Sequence, residues 1–397
     1  MLKDIPTSFF DFVREHENDD PFRLRLKASS EGSEIDLSLA ATQIECRKKC
    51  RRKLGDFISS PLFLFPSVIA SEQSSHQAVA RYHASLVREA GNVADLTAGL
   101  GIDAMTIAGI AKSMTAFELD EDKADALVHN ANVLGKHNLS VMNADSIDWL
   151  KRNDDSFDVI FIDPARRGEY NSRMFNLHDC QPDVLAEMPL LLSKCRRLFI
   201  KASPLLDIKQ TLLDIPQACG IHVVSVDGEC KEILIEAVPE PCGNVMLHAV
   251  DLDDAGSVVS EFSLDSTAKS GGVDYATISD IIPGSFLYEP GAALMKLSPW
   301  QQLTQRFPTL KKLGASSHLF VSKECYPGFP GRVLKIDGLL SKKDMKSLAG
   351  AGMNVVARNY PLSPEQIRKK FKIKEGQDTF LYASKLGKDP ILIQAHR

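Results

Sequence analysis

One short segment of the chain combines an acid with two closely spaced glycines. Residues 93–103 read Val-Ala-Asp-Leu-Thr-Ala-Gly-Leu-Gly-Ile-Asp, with the acid at Asp95 and the glycines at Gly99 and Gly101. Glycines let the backbone turn sharply and let a ligand lie close to it. The dinucleotide pattern G-x-G-x-x-G is incomplete, because residue 104 is Ala. A carboxylate before the glycines suits a cationic ligand better than a pyrophosphate, so the segment favours S-adenosylmethionine over a nicotinamide dinucleotide.

Two more acids follow the next apolar segments. Glu118 lies near the end of segment 115–120, at about the right distance along the chain for a carboxylate that binds a ribose. Asp145 ends segment 139–145, where the acid or the adjacent backbone is a candidate to hold the adenine amine. Each acid also has a structural alternative: Asp95 caps the turn, Glu118 is a solvated strand end, and Asp145 caps the helix that follows.

A further group of polar residues follows the apolar segment 157–162. Residues 163–168 read Asp-Pro-Ala-Arg-Arg-Gly, and Pro164 withholds a backbone donor and stiffens this loop. Methyl transfer needs a nucleophile held in line with the methyl donor in a water-poor pocket. We expect Asp163 to orient a nitrogen nucleophile and Arg166 to stack on a base or bind a phosphate. A purely structural turn is the alternative interpretation.

The elements around these residues place them at one edge of a sheet. Apolar segments that each end in or before one of these acids alternate with helical segments, which predicts parallel strands whose carboxyl ends meet at a topological switch point. A fifth strand is predicted over 197–201, and strands over 221–226 and 232–238 are joined through Asp227-Gly228, a strong hairpin signal. The sequence therefore predicts an α/β fold with a mostly parallel, Rossmann-like sheet and a terminal antiparallel hairpin, which disfavours a dehydrogenase.

In this order and spacing, segment 74–240 resembles a class I S-adenosylmethionine-dependent methyltransferase. The resemblance implies that the cofactor S-adenosylmethionine is bound by the acids and glycines already named: Asp95, Gly99, Gly101, Glu118 and Asp145. It also implies that Asp163, Pro164 and Arg166 belong to the catalytic loop. Enzymes of this family that methylate amino groups carry a second proline and an aromatic residue at the third and fourth positions of the loop. Ala165 and Arg166 depart from that pattern.

The loop also resembles the Asp-Pro-Pro-Arg-x-Gly loop of enzymes that methylate carbon-5 of uridine. Those enzymes need a cysteine nucleophile at the end of the next strand, because carbon-5 reacts only after a thiolate has added to the ring. The corresponding residues 200–204 read Ile-Lys-Ala-Ser-Pro and contain no cysteine. Direct transfer to a base nitrogen is therefore the expected chemistry.

The remaining segments predict further domains around the central one. Residues 1–73 are predicted to be a helical region, residues 74–240 the methyltransferase domain, and residues 241–321 a small α+β, ferredoxin-like subdomain. Residues 322–397 resemble the THUMP-like domains attached to RNA methyltransferases, and the whole order resembles a bacterial methyltransferase family with such a C-terminal domain. The resemblance implies an RNA partner, with tRNA and rRNA as the main candidates.

Charge is distributed unevenly along the chain. Residues 91–295 carry 15 Lys and Arg against 32 Asp and Glu, whereas residues 296–397 carry 19 against 7. An acidic region joined to a basic one suggests a polyanion partner such as RNA, although attraction between two domains explains the same asymmetry. A basic run over residues 47–53, on a helix predicted over 36–57, is either a phosphate-contacting face or a solvated surface.

Other features narrow the class of protein. The eight cysteines show no metal-binding spacing and are expected to be reduced thiols, so no metal is predicted. The sequence shows no signal peptide and no apolar run of membrane-spanning length, and a cytoplasmic location is expected. We therefore predict an S-adenosylmethionine-dependent RNA methyltransferase. A methyltransferase for a protein or small molecule and a noncatalytic RNA-binding protein are the alternatives, and the oligomeric state is left open.

Overall fold

The computed structural model describes residues 2, 5–28, 35–88, 90–166, 177–268 and 271–397. The chain divides into two compact units. The first comprises residues 1–248 and 252–259, and the second comprises residues 249–251 and 260–397.

The first unit begins with helices. In chain order these are α1 (Thr7–Glu15), α2 (Pro21–Ala28), α3 (Leu37–Cys50), α4 (Gly55–Ile58), α5 (Val68–Gln73) and α6 (Gln77–Leu86). Phe9 and Phe10 of α1 pack with Ile44 of α3 in one apolar cluster. The single helix predicted over 36–57 is wrong, since α3 ends at Cys50 and α4 starts at Gly55. The break lets Leu54 enter the core, where it is fully buried.

Strands and helices alternate in the rest of the first unit. The strands are β1 (Asn92–Asp95), β2 (Ser113–Glu118), β3 (Leu139–Asn143), β4 (Phe157–Ile162), β5 (Ala165–Arg166), β6 (Cys180–Gln181), β7 (Cys195–Ala202), β8 (Ala218–Val226) and β9 (Glu229–Ala237). The helices between them are α7 (Ile102–Ile107), α8 (Glu121–Val133), α9 (Ser146–Arg152), α10 (Val184–Ser193) and α11 (Ile208–Asp214). A short 3-10 helix spans Leu177–Asp179.

These strands form the predicted kind of sheet. Its order is β8-β9-β7-β4-β1-β2-β3, while β5 and β6 pair separately. β7, β4, β1, β2 and β3 are parallel, and β9 pairs antiparallel with both β7 and β8. The β8–β9 hairpin turns at Asp227 and Gly228, which both have positive φ. The predicted α/β class, with a mostly parallel sheet and a terminal antiparallel hairpin, is therefore confirmed.

The second unit is built on its own sheet. β10 (Met246–Leu252) and β11 (Val258–Asp265) have residues in both units and are not strands of this sheet. They are followed by β12 (Phe286–Pro290), β13 (Lys311–Lys312), β14 (Phe320–Ser322), β15 (Gly331–Leu339), β16 (Asn354–Ala357), β17 (Thr379–Leu386) and β18 (Asp389–His396). The helices are α12 (Ala292–Leu297), α13 (Trp300–Arg306), α14 (Lys342–Ser347) and α15 (Pro364–Phe371), with a 3-10 helix at Ile278–Asp280.

The sheet of the second unit has the order β13-β14-β12-β15-β18-β17-β16. β16 and β17 pair in parallel, and the other neighbours pair antiparallel. α15 starts at a capped N-terminus, where the Ser363 hydroxyl accepts the Gln366 N–H and Pro364 occupies the first turn. Within the described ranges, no helix has the length and apolar composition needed to cross a membrane.

Candidate active site

The turn after β1 brings the two glycines to the carboxyl edge of the parallel sheet. Gly99 has a φ of 57° and Gly101 a φ of 80°, both in the left-handed region that favours glycine. Gly101 lies against Leu127 of α8, so closely that a Cβ at this position would overlap the leucine side chain. A Cβ at Gly99 would instead enter open space, with nothing within 4 Å. A glycine is therefore required at position 101 for packing against α8, and Gly99 leaves room for a ligand.

A small cavity of about 80 Å³ lies beside this turn, and Asp95, Gly99, Gly101 and Asp163 all line it. The Asp95 side chain is buried, and its Oδ1 accepts the Thr97 N–H at 3.1 Å. Burial raises the pKa of the Asp95 carboxyl to about 7, and the nearby Asp103 carboxylate adds to the rise. The fold thus keeps one acid at this cavity in an environment that favours a cationic partner.

Glu118 and Asp145 lie outside the residues that line this cavity. Glu118 accepts the Gly99 N–H at 2.8 Å and the Asp120 N–H at 2.9 Å, so it ties the ends of β1 and β2 together. Asp145 accepts the Asp148 N–H at 2.9 Å and is the N-cap of α9. Asp145 therefore does cap the helix that follows it, which is the structural alternative. Glu118 is connected to the cavity through its hydrogen bond with the Gly99 backbone.

A closed ring of polar side chains forms part of the wall of this cavity, because Ser75, His83, Asp103 and Lys201 all line it. His83 of α6 donates through Nδ1 to Asp103 Oδ1 at 2.9 Å and through Nε2 to Glu232 Oε1 at 2.5 Å. Lys201 Nζ lies 3.8 Å from Glu232 Oε2 and donates to Ser75 Oγ at 2.9 Å. The ring closes because the Ser75 hydroxyl donates to the Asp103 carboxylate. It joins α6, α7, β7 and β9 into one electrostatic unit.

The electrostatics of this ring fix the charges of its members. Burial alone would lower the pKa of His83, but the Glu232 and Asp103 carboxylates outweigh it and raise this pKa to about 10. Burial likewise opposes the charged form of Lys201, and Asp163, Glu232 and Asp103 together hold its pKa above the usual range. His83 and Lys201 are therefore both cationic at neutral pH.

The reaction loop predicted from sequence begins at the rim of the ring. The Asp163 N–H donates to Thr97 Oγ1 at 2.7 Å, and Lys201 Nζ donates to Asp163 Oδ2 at 2.7 Å. The Asp163 side chain is about half exposed, at 48%. Partial removal from water raises the pKa of the Asp163 carboxyl, and the Lys201 ammonium opposes that rise. The carboxylate thus points outward while a buried cation holds one of its oxygens.

The rest of the predicted loop is partly outside the described residues. Pro164 lines a larger cavity next to Asp163. The backbone of Arg166 belongs to β5 and pairs with Cys180 of β6. The side chain of Arg166, and all of residues 167–176, lie outside what the structure describes.

The larger cavity has a volume of about 800 Å³, and most of the residues that line it are polar or charged. Lysines 49, 53, 201 and 231 line it together with Asp163. No cysteine occurs among the described residues that line it. A space of this size beside Asp163 accommodates a nucleobase with its sugar.

The basic run of α3 is mostly engaged in contacts within the first unit. Arg47 donates to the backbone carbonyls of Ile58, Ser60, Pro61 and Phe63, so it holds the following loop. The remaining contacts join Arg52 to Asp227 and Asp254, Lys49 to Glu45 and Glu72, and Lys53 to the carbonyls of Ser71 and Glu72. Most basic side chains of the run therefore have partners within the protein and need no phosphate to pair with. Lys49, Arg52 and Lys53 nevertheless line the wall of the large cavity.

Sequence reasoning did not identify the buried ring. Lys201 is the last residue of the strand predicted over 197–201, so its position at the carboxyl edge next to Asp163 was available as a signal. His83 and Glu232 are 149 positions apart, and their pairing depends on how α6 packs against β9. A single sequence carries no local signal for such a pair.

Known proteins resemble this chain over different lengths. Residues 286–330 match a ferredoxin-like domain family, and residues 331–397 match a family described as THUMP domain-like. An uncharacterized RNA methyltransferase of Mycoplasma mobile is 38% identical over 77 residues, which are 19% of this chain and 21% of that protein. A second, from Thermosynechococcus vestitus, is 29% identical over 92 residues, 23% of this chain and 20% of that protein. The chain thus spans about a fifth of the length of these curated relatives.

One solved structure resembles nearly the whole chain. It is that of a proposed methyltransferase from Porphyromonas gingivalis W83, with 27% sequence identity and a TM-score of 0.83. The likeness covers 98% of this chain and 97% of that one. Together with the relatives above, it confirms the predicted resemblance to methyltransferases that carry a THUMP-like C-terminal domain.

Proposed function

We propose that this chain, a methyltransferase-like protein with a C-terminal THUMP-like domain, transfers a methyl group from S-adenosylmethionine to a base nitrogen of RNA. The observation that carries the proposal is the juxtaposition at the sheet edge. There the Asp95–Gly99 cavity and the Asp163 carboxylate lie side by side, and Asp163 borders both the small and the large cavity. A methyl donor in the first space and a nucleobase in the second would meet at Asp163.

The residues around the small cavity fit S-adenosylmethionine. Asp95, Asp103 and Asp163 line it together with His83, Lys123 and Lys201. His83 is paired with Asp103 and Lys201 with Asp163, whereas the hydrogen bond of Asp95 is to a backbone N–H. A cationic amino group would pair with the Asp95 carboxylate. The open space over Gly99 provides room for it.

Asp95, Gly99 and Gly101 would hold the amino-acid end of the cofactor, with Glu118 on the ribose and Asp145 on the adenine side. Bound there, S-adenosylmethionine would supply a methyl group activated by a positive sulfur. The protein must then orient the accepting nitrogen and remove a proton from it. Asp163 is suited to both tasks, because its carboxylate borders the large cavity and accepts hydrogen bonds when ionised.

Lys201 positions Asp163 for this role. Its ammonium is held by Ser75 and Glu232 on one side and donates to Asp163 Oδ2 on the other, which leaves Oδ1 for the substrate. The positive charge also favours the ionised form of Asp163, against the effect of burial. Pro164 and Arg166 follow directly and would complete the reaction loop.

Three observations support RNA as the substrate. Both curated relatives are named RNA methyltransferases, residues 331–397 match the THUMP-like family, and the C-terminal hundred residues are strongly basic. A base nitrogen is favoured over carbon-5 of uridine, because carbon-5 chemistry requires a thiolate and the described lining of the large cavity has no cysteine.

The proposal is tested with the full-length protein and tritiated-methyl S-adenosylmethionine. RNA from cells that lack the protein is the substrate, since its target sites are unmodified, and a protein extract of the same cells is the comparison. We expect label in RNA, which nucleoside digestion and mass spectrometry then place on a base nitrogen. Label in protein or small molecules alone would contradict the RNA assignment. RNA binding without cofactor binding would contradict enzymatic activity.

The two glycines of the turn make a matched pair for testing the cofactor site. Gly101→Ala should lower the free energy of unfolding by about 2 kcal/mol, because the new Cβ meets Leu127 and the φ is unfavourable. Gly99→Ala should cost only about 1 kcal/mol of strain but weaken S-adenosylmethionine binding about tenfold or more, because its Cβ occupies the cavity. Urea unfolding and calorimetric titration measure the two effects. Unchanged cofactor affinity in Gly99→Ala would place the cofactor elsewhere.

A further inference from the structure

A buried carboxylate in the second unit binds two arginines at once. Glu289 of β12 is 7% exposed and stands directly opposite Arg332 of β15 in the sheet register. Its Oε2 accepts the Tyr382 hydroxyl at 2.6 Å and Arg332 Nη1 at 3.1 Å. Its Oε1 accepts Nε and Nη2 of Arg358 at 3.1 and 2.9 Å. The carboxylate thus fixes both guanidiniums in place.

The two arginines carry more charge than the cluster neutralises. One carboxylate faces two guanidiniums, so one positive charge remains, and both arginine side chains are more than 40% exposed. Nε and Nη2 of Arg332 and Nη1 of Arg358 have no acceptor within the described residues. Arg332 is an exposed residue, and Nη1 of Arg358 is not among the buried polar atoms that lack a partner, so it reaches solvent.

A third arginine lies on the same part of the sheet. Arg332 and Arg397 both pack against the Phe380 ring, with guanidinium carbons 5.1 and 5.7 Å from its centroid. If Glu289 served only a structural ion pair, a single guanidinium would be enough to pair with its carboxylate. A second, half-exposed guanidinium with unused N–H groups is instead a preorganised donor set for an anion, because planar guanidiniums bind phosphate oxygens in pairs.

We propose that Arg332 and Arg358 form a binding site for a backbone phosphate of RNA, held in geometry by Glu289. The identity of the polyanion rests on the proposed function, while the site itself follows from the cluster. The site positions RNA on the second unit and does not take part in methyl transfer. Glu289 and Tyr382 are positioning residues, since both act through the guanidiniums.

The test measures binding of fluorescently labelled total tRNA to the full-length protein by anisotropy, without S-adenosylmethionine. Arg358→Gln should weaken binding about tenfold or more, and Arg358→Lys at least about fivefold, because lysine keeps the charge and the Glu289 pair but loses the planar fork. Arg332→Lys should behave in the same way. Lys369→Gln removes one charge from the exposed face of α15 and should cost less than about threefold.

Three results would overturn the site. The first is wild-type affinity in both lysine variants. The second is a loss in Lys369→Gln as large as that in Arg358→Gln, which would mean diffuse attraction. The third is absence of tRNA binding by the wild type. Thermal unfolding verifies that the lysine variants are folded, and protection from hydrogen exchange around residues 332 and 358 on adding tRNA gives a readout without substitution. If tRNA binding depends on these arginines but no RNA is methylated, the proposed function fails and this site stands.

Discussion

Asp95→Asn should make the protein more stable and remove most of its affinity for S-adenosylmethionine. Burial raises the pKa of Asp95 to about 7 in the folded protein, against 3.8 for an unperturbed aspartate. The folded state therefore binds more protons than the unfolded state, and the free energy of unfolding falls as pH rises from about 4 to about 7. Asparagine cannot ionise, and its amide oxygen still accepts the Thr97 N–H. Since one pKa unit corresponds to about 1.4 kcal/mol, we expect a gain of up to about 4 kcal/mol at pH 8.

The affinity should change in the opposite direction. A buried carboxylate that faces a cationic amino group contributes strongly to binding, and its removal should weaken binding about 100-fold or more. Urea unfolding at pH 4.5 and 8, together with calorimetric titration at pH 8, measures both effects. The stability gain should shrink toward pH 4.5, where Asp95 is protonated in the wild type. A variant that is less stable than the wild type at pH 8, or that binds the cofactor normally, would refute this role for Asp95.

Asp163→Asn should slow methyl transfer strongly and leave cofactor binding nearly unchanged. An asparagine at this position still accepts a hydrogen bond from Lys201, which also keeps its contacts with Ser75 and Glu232, so the loop should hold its shape. The amide cannot take a proton from the accepting nitrogen. Loss of a general base lowers rates by about 10²- to 10⁴-fold, which is the reduction expected in kcat.

The measurement is single-turnover transfer of tritiated methyl to RNA that the wild type methylates. Affinities for S-adenosylmethionine and for RNA should stay within about threefold of the wild type, because Asp163 is proposed to act on the transferred group. The control is Asp207→Asn, which replaces the cap of α11 by a residue that caps equally well. Wild-type kcat in Asp163→Asn would remove Asp163 from the mechanism.

The sequence predicted the elements around the site because their signals are local. Apolar strands that end in acids, and a turn with two glycines, are patterns within a few residues, and the carboxyl ends of parallel strands must meet at one edge. Asp95, Gly99 and Asp163 therefore meet at one cavity, as expected. The helix break before Gly55 escaped prediction, because it depends on the burial of Leu54 in the tertiary core.

The ring at the site and the arginine cluster on Glu289 depend on contacts that are distant in sequence. Their members come from separate helices and strands, and nothing in the neighbourhood of Glu289 or His83 distinguishes them from ordinary surface residues. Contacts that are distant in sequence also limit the prediction for the basic run over residues 47–53. Its periodicity indicated one charged helix face, but Arg47 turns inward to backbone carbonyls that lie 11 to 16 residues further along.

The most direct test of the central claim is a calorimetric titration of S-adenosylmethionine into the wild-type protein at pH 6, 7 and 8, in buffers of different ionisation enthalpy. Asp95 must lose its proton to pair with the cationic amino group, so affinity should rise up to about tenfold per pH unit below pH 7 and stop rising above it. At pH 6 the α-amino group of the cofactor is already protonated, so binding should release close to one proton there, and Asp95→Asn should release none. Absence of binding, or binding without pH dependence or proton release, would contradict a cofactor site built on Asp95.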